Sequence, residues 1–561
     1  MKSVSLRARL RFCCVCIVAV PLFAIAAPVG KPLHAGIASA QTLATDAGLE
    51  IIKQGGNAFD AAVAVSAALA VVEPSSSGLG GGGFWLLHRA ADGFDVMVDG
   101  REVAPLAATR DMFLDKDGKV VPGRSINTAL AAAIPGEAAG WAHIAAKYGK
   151  LPLKTSLQPA IRLARQGFAL NEKLRGGIEV KRDTFNAGAA AQVYLHKGAT
   201  PELNALIKNP DLAKILTALA DQGPDAFYKG PIAKQMVDGV RKLGGIWSLE
   251  DFAKYEVKER KPVVGEYHGA RIVSAPPPSS GGVALIDALN ILSGFDMKAV
   301  DSATRKHLVV EAMRRVHRDR ADLFGDPDFV SVPVERLTSP FYAAGQRTSL
   351  RMDRATPSDS LPGVTGNEPG RQTTHFSIID TEGNRVGGTL SINFFFGSGL
   401  MVPGTGVMLN NEMDDFAAKA GVPNGFRLVG AEANAIVPGK RPLSSMTPTF
   451  IEKPEGVMVL GTPGGSYIMG MVLLATLDWL DGMPADEIVK QGRYHHQYLP
   501  DMLSFEPGAI SAEEQATLQK YGHKLRESRQ PGNMQIVTWD AKTGELKAVS
   551  DPRGVGAGVV Y

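Results

Sequence analysis

Cysteine is almost missing from this chain. Only three occur in 561 residues, Cys13, Cys14 and Cys16, all within the first 26 positions. That stretch reads as a segment to be removed. Lys2, Arg7, Arg9 and Arg11 give it a positive start, and Phe12 to Ala24 is an apolar core too short to span a bilayer. Ala24-Ile25-Ala26 then supplies a small-residue cleavage site. The expectation is a signal peptide over 1–26, a mature chain from Ala27, and a periplasmic or secreted protein without an anchor. An uncleaved membrane anchor is the alternative, and the small residues with Pro28 count against it. Cys16 has no small residue before it, which counts against a lipoprotein anchor. Without residues 1–26 the chain has no cysteine, so disulfides, thiolate nucleophiles and cysteine metal sites are excluded.

Other absences narrow the function further. Four of the 60 basic residues and none of the 57 acidic ones lie in 1–26, leaving 56 against 57. Such a balance argues against a nucleic acid partner and against a polybasic membrane surface. No HExxH, no Cys/His cluster and no G-x-S-x-G elbow occurs, so no metal, cofactor or serine triad is expected. The run Gly78 to Gly83 invites a phosphate-loop reading but lacks the Lys-Ser/Thr and follows a helix. Small residues there more simply let the backbone pass close to a buried site. Length alone would suggest three or four domains. No internal repeat, flexible linker or composition shift divides the chain; the turn-rich loop Arg354 to Arg371 is the one interruption.

What is present alternates between two periodicities. Thr42 to Gln54 and Ala58 to Val72 read as helices, the second capped by Asn57 and alanine-rich enough for close burial. Phe84 to His88 and Val96 to Val98 read as strands around an Ala91-Asp92-Gly93 turn. From Leu130 to about Lys261 the chain is mostly helical, including Leu212 to Gln222 and Ile232 to Leu243, and Arg305 to Phe324 follows. On that last helix Arg314, Arg315, His317, Arg318 and Arg320 read as a solvated charged face. Ala275 to Gly282 is a rigid loop to which we assign no chemistry. Gly406 to Leu409, Pro448 to Ile451, Val457 to Leu460 and Gln535 to Trp539 read as short strands, and Tyr467 to Leu480 as a helix. Helical and strand runs mixed this way suit a layered α/β architecture.

The stretch that organises the rest is Gln372-Thr373-Thr374-His375-Phe376-Ser377-Ile378-Ile379-Asp380. Apolar β-formers begin at Thr374, and Thr381-Glu382-Gly383-Asn384 turns them into a second run from Arg385, a hairpin with a threonine where loop becomes strand. Taken alone, such a threonine is merely a good strand former. The rest of the chain changes that. Gly55 to Ala62, Gly80 to Phe84, Gly100-Arg101-Glu102, Thr373-Thr374-His375, Asn410 to Phe416, Arg441 to Met446 and Pro463 to Ser466 resemble, in order, the signatures of the γ-glutamyltranspeptidase family. The resemblance covers nearly all of the chain after residue 26.

It implies the four-layer αββα sandwich of N-terminal-nucleophile hydrolases, formed jointly by two chains cut from one precursor. The cut falls between Gln372 and Thr373, giving a large subunit 27–372 and a small catalytic subunit 373–561 that stay together as a heterodimer. Thr373 becomes the nucleophile, with Ser391 as its hydroxyl partner and Gly464 and Gly465 as oxyanion donors. Arg101, helped by Ser444 and Ser445, grips the α-carboxylate of a γ-glutamyl donor, and Asn393, Glu412 and Asp415 accept from its α-ammonium. Glutathione and related γ-glutamyl compounds are the implied donors; water, amino acids or peptides are the acceptors. Ala417 to Lys440 is long enough to include the lid loop of some members, with Phe426 where they carry an aromatic. Read without the resemblance, Arg101-Glu102 is a surface ion pair worth little, Asp414-Asp415 a helix N-cap and Pro463-Gly464-Gly465 a turn. His375, His495 and His496 are assigned structural roles, because a terminal amine makes another base unnecessary. Two alternatives remain: a glutaryl or cephalosporin acylase of the same fold, and a secreted, non-catalytic binding homologue.

Overall fold

A computed structural model describes residues 30–361, 373–529 and 531–561. Residues 1–26 and Gln372 lie outside the described residues.

Two antiparallel sheets face each other. The first has seven strands, in the order Ala557–Val560, Gly36–Ser39, Thr374–Ile379, Arg385–Ser391, Gly82–Arg89, Phe94–Gly100 and Lys258–Arg260. The second has six: Leu546–Ser550, Gln535–Asp540, Gly456–Gly461, Thr449–Lys453, Ala270–Ser274 and Val263–Tyr267. Side chains alternate along each strand, and the Thr374–Ile379 strand shows what that does. Phe376 and Ile378 pack outward among the helices, while Ile379 joins Phe84, Phe450 and Val537 between the sheets. Helices Thr42–Lys53 and Ala58–Val72 cover the outer face of the first sheet. Gly281–Leu292, Ser302–Leu323 and Ile468–Leu480 cover the second. The result is a four-layer αββα sandwich.

The second of the helices on the first sheet obeys the reading of its sequence. Ala58–Val72 is buried along its whole length, and Asn57 caps it with an Oδ1 that accepts from the Phe59 and Asp60 N–H groups at 3.0 Å. The glycine run also does what small residues allow. A Cβ at Gly80 would meet the Met408 carbonyl at 2.0 Å, and one at Gly81 the Ser391 carbonyl at 2.1 Å. The backbone there lies directly against the Thr373 hairpin.

Two expectations fail. Gly406 to Leu409 is not a strand; it lies in a loop with one isolated bridge, Met401 to Met408. Four apolar-looking residues cannot report whether a partner strand exists. The charged run on Ser302–Leu323 is not a solvated face either, since Arg314, Arg315, His317 and Arg320 are all buried. Arg314 and Arg315 pair with Glu311, one turn back on the same helix, and Arg314 also with Asp501. Among the described residues no helix is long and apolar enough to cross a membrane.

Candidate active site

Thr373 is buried and immediately precedes its strand. The ladder sets Leu390 opposite Thr374, so Ser391 comes level with Thr373 on the neighbouring strand. Ser391 Oγ accepts the Asn393 N–H at 2.8 Å, which fixes the turn that follows. Asn393 sits at φ 74°, a left-handed conformation that asparagine tolerates. Its Nδ2 donates to the Asn411 carbonyl at 2.9 Å.

Asn410 then fastens the next piece. Its Nδ2 donates to the carbonyls of Gly80 at 2.7 Å and Ala133 at 2.8 Å, and its Oδ1 accepts the Glu412 N–H at 2.9 Å. Glu412 to Asp415 form a 3₁₀ turn, so Asp414-Asp415 caps no α-helix. Asp414 accepts from the Ser125 hydroxyl at 2.6 Å and from the Gly425 N–H at 2.7 Å. Phe426, beside Gly425, stacks on Phe394 with ring centres 4.6 Å apart and planes 13° from parallel.

Arg101 lies just past the Phe94–Gly100 strand, fully buried, and is no surface ion pair. Its Nη1 donates to Glu412 and its Nη2 to Asp415 at 2.5 Å. The groups assigned to opposite ends of a glutamyl head are thus paired with one another. Burial alone would lower the pKa of Arg101, but Glu412, Asp415 and Glu102 hold it above its ordinary value. Burial pushes Glu412 up to about 7 against the pull of Arg101, and raises Asp415 as well. Ser444 is held by the rigid Ala275–Gly282 loop, its N–H donating to the Pro278 carbonyl at 2.8 Å and its carbonyl accepting from Ser280 Oγ at 3.0 Å. Ser445 Oγ is buried and, among the described residues, has no hydrogen-bond partner. Gly464 and Gly465 take φ values of 145° and 57° at the start of the helical stretch that continues into Ile468–Leu480.

Thr373, Ser391, Arg101, Asn393, Glu412, Asp415, Ser444, Ser445 and Gly465 all line one cavity; Gly464 flanks it. None of the three histidines lines it. His375 points between the sheets. Ser377 Oγ donates to the Gln535 carbonyl and so accepts from His375 Nε2, which leaves Nδ1 to accept from Thr389. Burial pushes its pKa down to about 3. His495 stacks on Tyr467 with centres 4.0 Å apart, and His496 pairs with Asp501 at 3.1 Å. Away from the cavity, His307, Glu311 and His523 cluster closely enough to hold a metal ion. Most of that capacity is already used. Glu311 is taken by two arginines, and His307 by His523 at 2.8 Å and the Arg351 carbonyl at 2.7 Å.

A family model described as gamma-glutamyltranspeptidase matches residues 44–561. The chain belongs to the γ-glutamyltranspeptidase family. The glutathione hydrolase proenzyme of Escherichia coli (strain K12) is 42% identical over 529 residues, 92% of this chain and 90% of that one. The acylase ACY 1 proenzyme of Pseudomonas sp. (strain SE83) is 36% identical over 517 residues, 89% of this chain and 88% of that one. Among solved structures, the cephalosporin acylase from Bacillus halodurans superimposes with a TM-score of 0.82 at 28% identity, covering 100% of this chain and 98% of that one. The γ-glutamyltranspeptidase of Helicobacter pylori gives 0.57 at 40% identity, covering 60% of this chain and 96% of that one. The αββα sandwich is that of N-terminal-nucleophile hydrolases.

Within this γ-glutamyltranspeptidase framework several contributors escaped the sequence reading. Thr374 Oγ1 donates at 2.6 Å to Glu73, which closes the Ala58–Val72 helix and is ion-paired with Lys173. That contact anchors the chain one residue past Thr373. Nothing in the sequence near Glu73 or Lys173 points to it. Arg320, Leu428, Met446 and Ile468 also line the cavity.

Proposed function

We propose that this protein is an exported, self-processing γ-glutamyltransferase and hydrolase whose nucleophile is Thr373. The observation that carries the reading is the meeting of Thr373, Ser391, Arg101, Asp415 and Gly465 around one cavity, in a chain of this family. A threonine hydroxyl needs a base to take its proton, and an N-terminal threonine carries one in its α-amine, with a pKa of about 7.7–8.0. In the precursor that nitrogen is an amide. The Thr373 hydroxyl attacks the Gln372 carbonyl, the acyl group moves from nitrogen to oxygen, and water hydrolyses the ester to free the amine. Export directed by residues 1–26 places the enzyme outside the cytoplasm.

In each turnover the same oxygen attacks the γ-amide carbonyl of glutathione or a related donor. The amine side leaves with a proton, and the γ-glutamyl ester passes to water or to the amine of an amino acid or peptide. Backbone N–H groups at Gly464 and Gly465 are suited to the oxyanion, because no side chain crowds them. The glutamyl head enters by exchange. Its carboxylate takes a guanidinium and its ammonium takes Glu412 and Asp415, replacing the contacts these groups make with each other. The cavity holds only about 20 Å³, room for a water or so. Binding therefore also displaces lining side chains such as Phe426 and Leu428.

The test is a denaturing gel with N-terminal sequencing. Wild type gives a smaller band beginning at Thr373, and Thr373→Ala stays whole and inactive towards a γ-glutamyl anilide. A Thr373→Ala protein that still divides at this bond refutes self-cleavage by that hydroxyl. The likeness to the cephalosporin acylase favours a second reading, hydrolysis of a glutaryl side chain, which shares the nucleophile but not the need to hold an ammonium.

A further inference from the structure

Among the described residues the buried arginines obey one rule with one exception. Arg101, Arg314, Arg315, Arg385, Arg441 and Arg493 each meet a carboxylate. Arg320 is 5% exposed, yet among the described residues it makes no hydrogen bond or ion pair, and its Nε is buried without a partner. Asp415 acts on it without making an ion pair, raising its pKa against burial, and a buried guanidinium with so little compensation carries a desolvation penalty. Such a group is retained when something outside the protein pairs with it.

Its location says what that something is. Arg320 projects from the last turn of Ser302–Leu323 into the cavity that holds Thr373. There Arg101 already carries Glu412 and Asp415, and it frees donors only as the glutamyl head replaces those contacts. Among the described residues the cavity's other unpartnered polar atoms are the Ser445 hydroxyl, which can donate, and Glu412 Oε2, which cannot. Charge arithmetic agrees. Among the groups that line the cavity, Arg101 alone would set one cation against Glu412 and Asp415 where a zwitterion must sit; Arg320 makes it two against two. Burial lowers its pKa to about 10, so it remains charged at neutral pH. Neighbouring His317, one turn back, is held neutral by burial and does not compete for an anion.

We infer that Arg320, which shares the cavity with Ser445, is a specificity-determining residue that receives the α-carboxylate of the donor jointly with Arg101. This rests on the γ-glutamyl reading above. A guanidinium suits the role because its planar donors meet a carboxylate two at a time.

The experiment is calorimetric titration of processed wild type, Arg320→Gln and Arg320→Lys with three ligands that share a γ-carboxyl. L-Glutamate carries both α-groups, glutarate only the second carboxylate, and 4-aminobutyrate only the ammonium. Arg320→Gln should weaken L-glutamate and glutarate by about 30-fold or more, the effect of removing one partner of a buried charged pair. 4-Aminobutyrate should change by less than about twofold, and Arg320→Lys should recover part of the loss. Equal weakening of all three ligands would mean a structural role and overturn the proposal. Weakening confined to L-glutamate and 4-aminobutyrate would overturn it too, placing Arg320 behind Asp415 instead. If Arg320→Gln fails to process, Arg320→Lys carries the comparison, with a smaller loss expected on the same two ligands. Wild type that binds glutarate as well as L-glutamate sinks the γ-glutamyl reading, while the glutarate arm still judges Arg320. Wild type that binds none of the three overturns both.

Discussion

At the scale of single residues, Asp415 separates the two enzyme readings. It is half-buried, bonded to Arg101, and raised in pKa by desolvation against that arginine's pull. A transpeptidase must hold an α-ammonium there; a glutaryl acylase has none to hold. Asp415→Asn keeps the shape but leaves the ammonium poorly compensated, at on the order of 3–5 kcal/mol. That is roughly a hundred- to several-thousand-fold in kcat/KM. The loss should fall on a γ-glutamyl anilide and spare a glutaryl anilide, whereas Arg101→Ala should slow both, each measured after a gel confirms processing. Wild type that prefers the glutaryl anilide, or an Asp415→Asn variant slow on both equally, would move the assignment to the acylase. The residues of this test were legible because Thr373, Arg101 and Asp415 each stand inside a short ordered motif. Arg320 was not. A cluster of basic residues on a helix has the same letters whether it meets solvent or is enclosed by a sheet and a loop from elsewhere in the chain.

At the scale of elements, the Glu412–Asp415 turn holds the segment beneath Phe426 through Asp414, which accepts from Ser125 and Gly425. Burial pushes the Asp414 carboxyl up from 3.8 to about 7, Ser125 and Gly425 opposing. A raised carboxyl stabilises the fold fully below its unfolded value, and that contribution is lost as pH rises through the folded one. Asp414→Asn removes the titration while its amide can still donate to Ser125 and accept from Gly425. The variant's thermal midpoint relative to wild type should therefore climb between about pH 4 and pH 7 and level off above. Two parallel curves over that range would show that Asp414 is not the group that titrates. Elements with their own punctuation were legible: Asn57 marks the start of Ala58–Val72, and the hairpin turn at Thr381 to Asn384 sits where expected. Gly406 to Leu409 was misread because a strand is defined by its neighbour, and no local letter supplies one.

At the scale of the whole molecule, the strand order decides what cleavage before Thr373 can do. The segment 36–39 lies between 557–560 and 374–379, and 385–391 pairs with 82–89. In the second sheet 449–453 pairs with 270–274. Each sheet thus contains strands from both sides of Thr373, joined at three edges in the first sheet and at one in the second. None of this order was legible, since the pairing of residue 37 with residue 559 leaves no mark in either local sequence. Separating the two pieces would expose ladder hydrogen bonds in both sheets and split the apolar layer shared by Phe84 and Phe450, a change equivalent to unfolding. The surfaces are mainly hydrogen-bonded backbone and apolar side chains, which salt screens little. No disulfide is available in the chain after residue 26. The processed protein should therefore run as one species on a sizing column in high salt and in reductant, and its two pieces should part only where circular dichroism shows loss of structure. Pieces that separate while both keep native ellipticity would refute an interleaved sandwich and require each to fold alone.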